Sequence, residues 1–468
     1  MDFFAKIFFF CYYRSMVKTQ NTSQEIIEEK EETLSIQDES QFRNLVDAER
    51  EKHMNTESNI THDELAKILH EALKRQDSEW ALTLITRGAL WLGSSDIHYD
   101  TSEADIAVRI RIDGELATIA TLEKWEYKLL LERLKYKSNL KLNIVEIPQD
   151  GKYRISDDGS NIDVRVSTLP VRYGENAVCR ILDSTKSIPT IEELGFMWTS
   201  KRQIEKSLGK KNGTIFVTGP TGSGKTTTLY SMLASLNTAN RKIITLEDPI
   251  EYELPGVVQS EVDEKKNYTY ASWLKALLRQ DPDIIMIGEI RDLESATIAM
   301  QAAMTGHLVL STLHTKSAGE TIERLMNMGV PNYILASGLD VIIAQRLVRR
   351  LCSHCREPYE ADEAQINIIK WMLKDIGISW VAKRKESYTL YHSKGCSECS
   401  MTGYSWRIGI YEVMGFSENL RTLVRNNASP HDIIEAARTW DLMLMREDGI
   451  LKAMQGKTSL EELFKVIE

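Results

Sequence analysis

Two rhythms of apolar and polar residues divide this chain. Leu65, Ile68, Leu69, Ala72 and Leu73 recur at the spacing of one helix face, and Thr61 with Glu64 ahead of them forms a capping-box pattern. A second apolar stretch, Ala81 to Leu92, stops at Gly93. Beyond it Ile106, Val108, Ile110 and Ile112 alternate with other residues at the two-residue period of a half-buried strand, and Asp113-Gly114 supplies a turn. Alternation resumes around Ile162 to Ile181, so a small α+β domain is expected over 61–184. Past a connecting segment, Ser187 to Gly195 with Pro189 inside, the pattern changes. Strand-like runs at Thr214 to Thr218, Lys242 to Leu246, Ile284 to Ile287 and His307 to Thr312 are separated by helical stretches, which predicts a largely parallel sheet covered by helices. The fold class is α/β. The expected division is a tail or docking segment over 1–60, the α+β domain, a linker over 185–195 and an α/β domain over 196–468.

Residues 17 to about 60 carry many Glu, Lys, Gln, Ser and Asn with few aromatics, the composition of a solvated tether. The apolar run Phe3 to Tyr13 is shorter than the ~20 residues of a spanning helix, is interrupted by Lys6 and lacks a small-residue cleavage site. Met16 follows it and opens an ordinary polar sequence, a candidate alternative start. Apolar residues are 42% and charged residues 27% of the 468, the balance of a globular protein. A net charge of -10 argues against a broad nucleic-acid footprint. Six cysteines are too few for a secreted disulfide scaffold, and four of them form two CxxC pairs, which points to a reducing compartment and a metal.

Chemistry enters at Gly219-Pro220-Thr221-Gly222-Ser223-Gly224-Lys225-Thr226, a complete Walker A pattern between an apolar strand and a helical run. Its glycines let successive backbone N–H groups turn toward phosphate oxygens, and the helix that follows presents its positive end to the same anion. Lys225 is placed for the β and γ phosphates of ATP and the Thr226 hydroxyl for Mg²⁺. A second apolar strand, Ile284 to Ile287, delivers Glu289 at its C-terminal end, where α/β sheets place their chemistry. Glu289 is the candidate to polarise the attacking water or to hold the magnesium shell. Glu247 and Asp248 end the preceding strand, Glu251 is close by, and His314 follows the strand that ends at Thr312.

These segments resemble, in order, the Walker A, Asp box, Walker B and His box of the ATPases of type II secretion and type IV pilus assembly. The runs are Thr218 to Tyr230, Leu246 to Glu251, Leu278 to Asp292 and Thr305 to Thr315, within a resemblance that spans about 65 to 460. The resemblance implies a homohexamer of RecA-like domains that hydrolyses ATP, with Glu247 and Glu289 as catalytic carboxylates and His314 as a γ-phosphate sensor. Ser95 to His98, Gln149 to Gly151 and Arg165 to Pro170 resemble the family's N-terminal signatures, which makes Arg165 and Arg180 candidates to reach the phosphates. It further implies a cytoplasmic motor, peripheral to the inner membrane, that acts on a membrane platform protein and a docking protein and so, indirectly, on pilin-like subunits. No stable nucleic-acid partner is expected. A DNA-translocating P-loop ATPase and a nucleotide-binding scaffold without turnover are the rival readings.

Cys352, Cys355, Cys396 and Cys399 give four thiolates in two close pairs, the arrangement of a closed structural Zn²⁺ site that pins an intervening subdomain, roughly Glu357 to Lys394, within a tetracysteine zinc subdomain over about 350–410. A redox pair and an iron–sulfur cluster are the alternatives. Among relatives of the resembling family, this tetracysteine insertion marks the assembly and secretion motors rather than the retraction motors. Trp406 stands where the segment after the second pair usually has glycine, which puts the local turn in doubt.

Overall fold

The computed structural model describes residues 69–157, 160–182, 187–262, 270–373, 388–399, 402–439 and 442–467. The tail, Phe3 to Tyr13, Met16, Cys11 and the capping-box residues Thr61 and Glu64 lie outside them. The chain forms two compact units, one built largely from residues up to Thr185 and the other from Lys186–Lys394 and Gly403–Glu468.

The first unit contains β1 (Asp96–Thr101), β2 (Ile106–Ile112), β3 (Glu115–Leu122), β4 (Gln149–Asp157), β5 (Ser160–Val171) and β6 (Gly174–Leu182). They make one sheet in the order β3-β2-β1-β6-β5-β4 with antiparallel pairing throughout. Alternation decides which face is covered. Ile97, Tyr99, Val108, Ile110, Val164 and Cys179 are buried in the same core as residues of the helices Ser78–Trp91 and Lys124–Lys137. The other set, with Asp96, Arg109, Arg111, Arg165 and Arg180, is charged. Buried Lys135 donates to Glu175 Oε2 at 2.6 Å and to the Ile144 carbonyl at 2.9 Å, which ties the second helix to the loop that precedes β4.

The second unit continues with β7 (Gly213–Thr218), β8 (Ile243–Glu247), β9 (Val258–Glu261), β10 (Ile284–Ile287), β11 (Leu308–Leu313), β12 (Leu339–Leu351), β13 (Arg356–Glu360), β14 (Thr389–Ser393) and β15 (Tyr404–Gly415). Seven of these form a sheet in the order β15-β12-β7-β11-β10-β8-β9, parallel except where β15 turns back on β12. β7, β8, β10 and β11 are buried at every position, because side chains alternate between two covered faces. Phe216, Ile285, Ile287 and Val309 enter one core with the helices Leu293–Met304 and Ala318–Asn327. Ile215, Val217, Met286 and Leu310 enter the other with Trp198–Leu208 and Lys225–Leu236.

β12 and β15 pair antiparallel from Val341↔Gly415 to Leu351↔Tyr404, with an irregularity between Arg349 and Leu351. Trp406 lies opposite that irregularity with φ 67 and is 68% exposed. The backbone at Trp406 is therefore left-handed, at a cost of roughly 1–2 kcal/mol for an L residue. Between the two strands runs an insert with the β13–β14 hairpin and the helix Glu363–Leu373. Its Ile369, Met372 and Leu390 share a core with Val348 and Ile410 of the sheet and Ile450 and Leu463 of the last helices.

Candidate functional site

β7 ends at Thr218, and Gly219 to Gly224 loop over into the helix Lys225–Leu236. Gly219, Gly222 and Gly224 have φ of 155, 78 and 85, conformations that glycine adopts without a Cβ penalty. At Gly219 there is also no room. A Cβ there would come within 2.5 Å of Ser223 Oγ and 2.6 Å of the Gln345 carbonyl oxygen. The helix N-cap, Gly224, offers no side-chain acceptor, so the first N–H groups of the helix have no capping oxygen. That arrangement fits a bound phosphate chain, whose oxygens would take the place of the missing cap. Lys225 bends back and donates from Nζ to the carbonyls of Gly219 at 2.9 Å and Pro220 at 3.1 Å. Its pKa is lowered, by burial above all and also by the charge of Arg346, while Glu289 acts in the opposite sense.

The loop is braced from a strand that the sequence reading did not single out. β12 runs parallel to β7 with Ala344 opposite Thr218, which brings the next residue, Gln345, beside the loop. Gln345 is 1% exposed. Its Nε2 donates to the Ser223 carbonyl at 2.5 Å and its Oε1 accepts from Thr228 Oγ1 at 2.8 Å. Loop and helix are thus fixed to one side chain.

Glu289 stands just past β10, where Gly288 N–H donates to the Leu246 carbonyl at 2.7 Å and the Thr312 hydroxyl donates to the Gly288 carbonyl at 2.6 Å. These bonds from both neighbouring strands fix the base of the Glu289 side chain. Its carboxylate accepts from His314 Nε2 at 3.1 Å and forms an ion pair with Arg291, which also reaches Asp248 Oδ2 at 3.4 Å. Glu289 and His314 keep side-chain exposures of 22% and 52%, so the pair is open to solvent on one side. The structure therefore brings Glu289 and His314 into contact and places both at the rim of the sheet that carries Lys225.

Glu247 is in different surroundings. It is 3% exposed, and its carboxylate accepts from Tyr230 O–H, from Thr245 Oγ1 at 2.5 Å and from Gln259 Nε2 at 3.1 Å. Tyr230 O–H in turn accepts from the Glu251 N–H at 3.3 Å. This network joins the phosphate-loop helix to the segment after β8. Because burial and the Glu247 charge both oppose ionisation, the Tyr230 phenol is pushed far above its usual range and stays a donor.

Arg165 and Arg180 belong to the first unit, opposite each other in the β5–β6 register. Arg180 donates from Nε to Asp96 Oδ1 at 2.9 Å and keeps 56% side-chain exposure.

The four cysteines converge. One sulfur from each of Cys352, Cys355, Cys396 and Cys399 lies within 4.8 Å of the others, and Cys396 and Cys399 sulfurs are 3.7 Å apart. A tetrahedral ion with sulfur ligands at about 2.3 Å needs sulfur–sulfur edges of about 3.8 Å. The donor set and the spacing therefore fit a thiolate-bound metal. Cys396 N–H donates to Cys399 Sγ at 3.2 Å. No helix of the described residues is long and apolar enough to cross a membrane.

Comparison with known proteins gives a consistent result. Residues 72–465 match the family described as Type II/IV secretion system protein. The chain is 43% identical over 373 residues to the Type II secretion system protein E of Pseudomonas aeruginosa, covering 80% of this chain and 72% of that one. It is 40% identical over 379 residues to the Type IV pilus assembly ATPase PilB of Thermus thermophilus, covering 81% of this chain and 42% of that one. The structure of the Legionella pneumophila ATPase DotB superposes with a TM-score of 0.60 at 22% identity, covering 82% of this chain and 94% of that one, which bears on the fold. Matched across nearly all of its described length, with a glycine-shaped phosphate loop at the C-terminal rim of a parallel sheet, the chain belongs to the Type II/IV secretion system protein family and is an ATPase.

Proposed function

We propose that this protein is the hexameric motor of a type II secretion or type IV pilus-type assembly machine, working at the cytoplasmic side of the inner membrane on a platform protein. The observation that carries the reading is the meeting of a braced phosphate loop with the Glu289–His314 pair on one sheet edge, in a chain at least 40% identical to both kinds of assembly ATPase. Gly219 to Thr226 bind the phosphates of ATP, with Lys225 on the β and γ groups and Thr226 on magnesium. When bound, the magnesium supplies positive charge that offsets the charge growing on the phosphate oxygens. Glu289 orients the attacking water and receives its proton, and His314 fixes the carboxylate and reports the γ phosphate. Glu247 supports the site from within, since its oxygens are already engaged by three side chains. Arg165 and Arg180 are proposed as further phosphate-contacting cations. The four cysteines hold zinc in a structural role, and hydrolysis is coupled through the platform and docking proteins to the addition of pilin-like subunits.

The test is ATP turnover of the full chain, with lipid and a candidate platform protein, for wild type, Lys225→Ala and Glu289→Gln. The reading expects turnover to vanish in both variants, with nucleotide binding kept in Glu289→Gln. Sustained turnover in Glu289→Gln would remove that residue from the chemistry, and absence of turnover in wild type with every partner supplied would remove the motor.

A further inference from the structure

Arg346 follows Gln345 on β12 and, by strand alternation, turns to the opposite face. Its Nη1 donates to the Gln345 carbonyl at 3.0 Å and its Nη2 to the Lys316 carbonyl at 3.4 Å. The first carbonyl is the one that crowds Gly219, at the start of the phosphate loop. The second stands two residues beyond His314, on the segment tied to β7 by Thr218 and Thr315. The guanidinium thus bridges the two stretches of chain that border the Glu289 end of the site.

Its surroundings are unusual for an arginine that is partly buried. No carboxylate of the described residues lies within ion-pair distance of it, and its recorded partners are two neutral carbonyls. The acids that act on it from further off are Glu320 and Glu412. Both have committed a carboxylate oxygen to backbone N–H groups, of Lys316 and Ala318 respectively. Burial lowers the pKa of Arg346, and the like charge of Lys225 is felt across the loop, since Arg346 contributes to lowering the pKa of Lys225. Two cations held near each other without a paired anion repel, and a dianionic or trianionic group between them would relieve that repulsion.

We propose that Arg346 is a further phosphate-contacting cation of this site, supplied by the same unit as the phosphate loop, that reaches the γ phosphate of ATP beside Lys225. The proposal rests on the reading of Gly219 to Thr226 as the nucleotide cradle. The γ phosphate is the group concerned because Arg346 borders the part of the site where Glu289 and His314 meet, and an attacking water must approach there. The planar fork suits two oxygens of one phosphoryl group, and it favours the transition state because charge grows on those oxygens. Arg346 accordingly separates ATP from ADP, whereas the loop amides and Lys225 serve both.

The experiment measures fluorescent ATP-analogue and ADP-analogue affinities, together with single-turnover hydrolysis, on the full chain carrying Arg346→Gln, Arg346→Lys or Lys225→Ala. Arg346→Gln is expected to weaken ATP binding on the order of ten- to a hundredfold, the range for a charge-assisted hydrogen bond, with ADP affinity within about twofold of wild type. Unchanged ADP affinity also reports that the loop has kept its fold. Arg346→Lys should recover part of the hydrolysis rate, because a point charge remains without the fork. Equal losses for ATP and ADP would assign Arg346 to loop structure and overturn the proposal, as would an unaltered preference for ATP. If Lys225→Ala binds both nucleotides like wild type, the cradle reading itself fails, an outcome separate from failure at Arg346.

Discussion

Replacing Gln345 by alanine tests the brace beneath the phosphate loop. The side chain is buried and makes two bonds, to the Ser223 carbonyl and from the Thr228 hydroxyl. Truncation leaves the Ser223 carbonyl without that donor, at a cost of about 1–3 kcal/mol for an unsatisfied buried group. The Thr228 hydroxyl suffers less, because a helical threonine can turn its Oγ1 to the carbonyl one turn back. The remaining loss is roughly 1 kcal/mol for methylene groups no longer packed. The total, about 2–4 kcal/mol, falls on a loop that must hold its shape to bind phosphate. ADP affinity should therefore drop on the order of thirtyfold to several hundredfold. Affinity is a better readout than a single unfolding free energy, because a chain with two compact units need not unfold in one step. The decisive measurement is a double-mutant cycle with Thr228→Val, a near-isosteric change that removes only the hydroxyl. Coupling of about 0.5–1.5 kcal/mol is expected if the two side chains act through their shared bond. Effects that add to within about 0.3 kcal/mol would refute the bridge, and with it the claim that β12 fixes the loop.

Two further expectations concern the insert and the strands that carry it. Glu462 is buried, which alone would raise its pKa, yet bonds from Arg349 and Lys465 hold it below the ordinary value of 4.5. A depressed carboxylate stabilises the fold above its unfolded pKa and loses that contribution as pH falls through the folded value. Glu462→Gln should thus melt earlier than wild type at pH 7, and the gap in melting temperature should close below about pH 4.5; a gap that widens toward acid would show the sign to be wrong. Removing the proposed zinc, by chelation or by Cys352→Ser, should lower the melting temperature and increase proteolysis within 353–402 by at least severalfold. Elemental analysis of the purified protein should give about one zinc per chain, and the absence of bound metal would discard the assignment.

The parts of this molecule legible in its sequence are those written in local spacing. Continuous apolar runs announced β7, β10 and β11 because both faces of that sheet are covered, and the alternation at Ile106 to Ile112 announced β2 because only one face of the other sheet is. The phosphate loop was visible because its chemistry is concentrated in eight consecutive residues, Gly219 to Thr226. Gln345 and Arg346 were not, since they lie more than a hundred residues downstream and reach the loop only through the parallel register of β12 on β7. The sequence also set Glu247 and Glu289 side by side as acids at strand ends. What separates them is tertiary: Tyr230 and Gln259 close over one, while the other faces His314 and Arg291. At Trp406 the sequence flagged a departure, and the backbone resolves it by accepting a left-handed tryptophan.

The way the insert joins the sheet has a consequence for how such proteins change over generations. Chain leaves at Leu351 and returns at Tyr404, which are paired partners, and Cys352 N–H donates to the Gly403 carbonyl at 3.0 Å. Exit and re-entry are thus one rung of a ladder, so anything spliced between them begins and ends at the same place. For a flexible connection, each doubling of length adds only about 0.6 kcal/mol of closure entropy. Genetic drift can therefore lengthen, shorten or exchange this cassette without disturbing the strands that feed the phosphate loop, provided its replacement still covers the apolar positions around Val348 and Ile410.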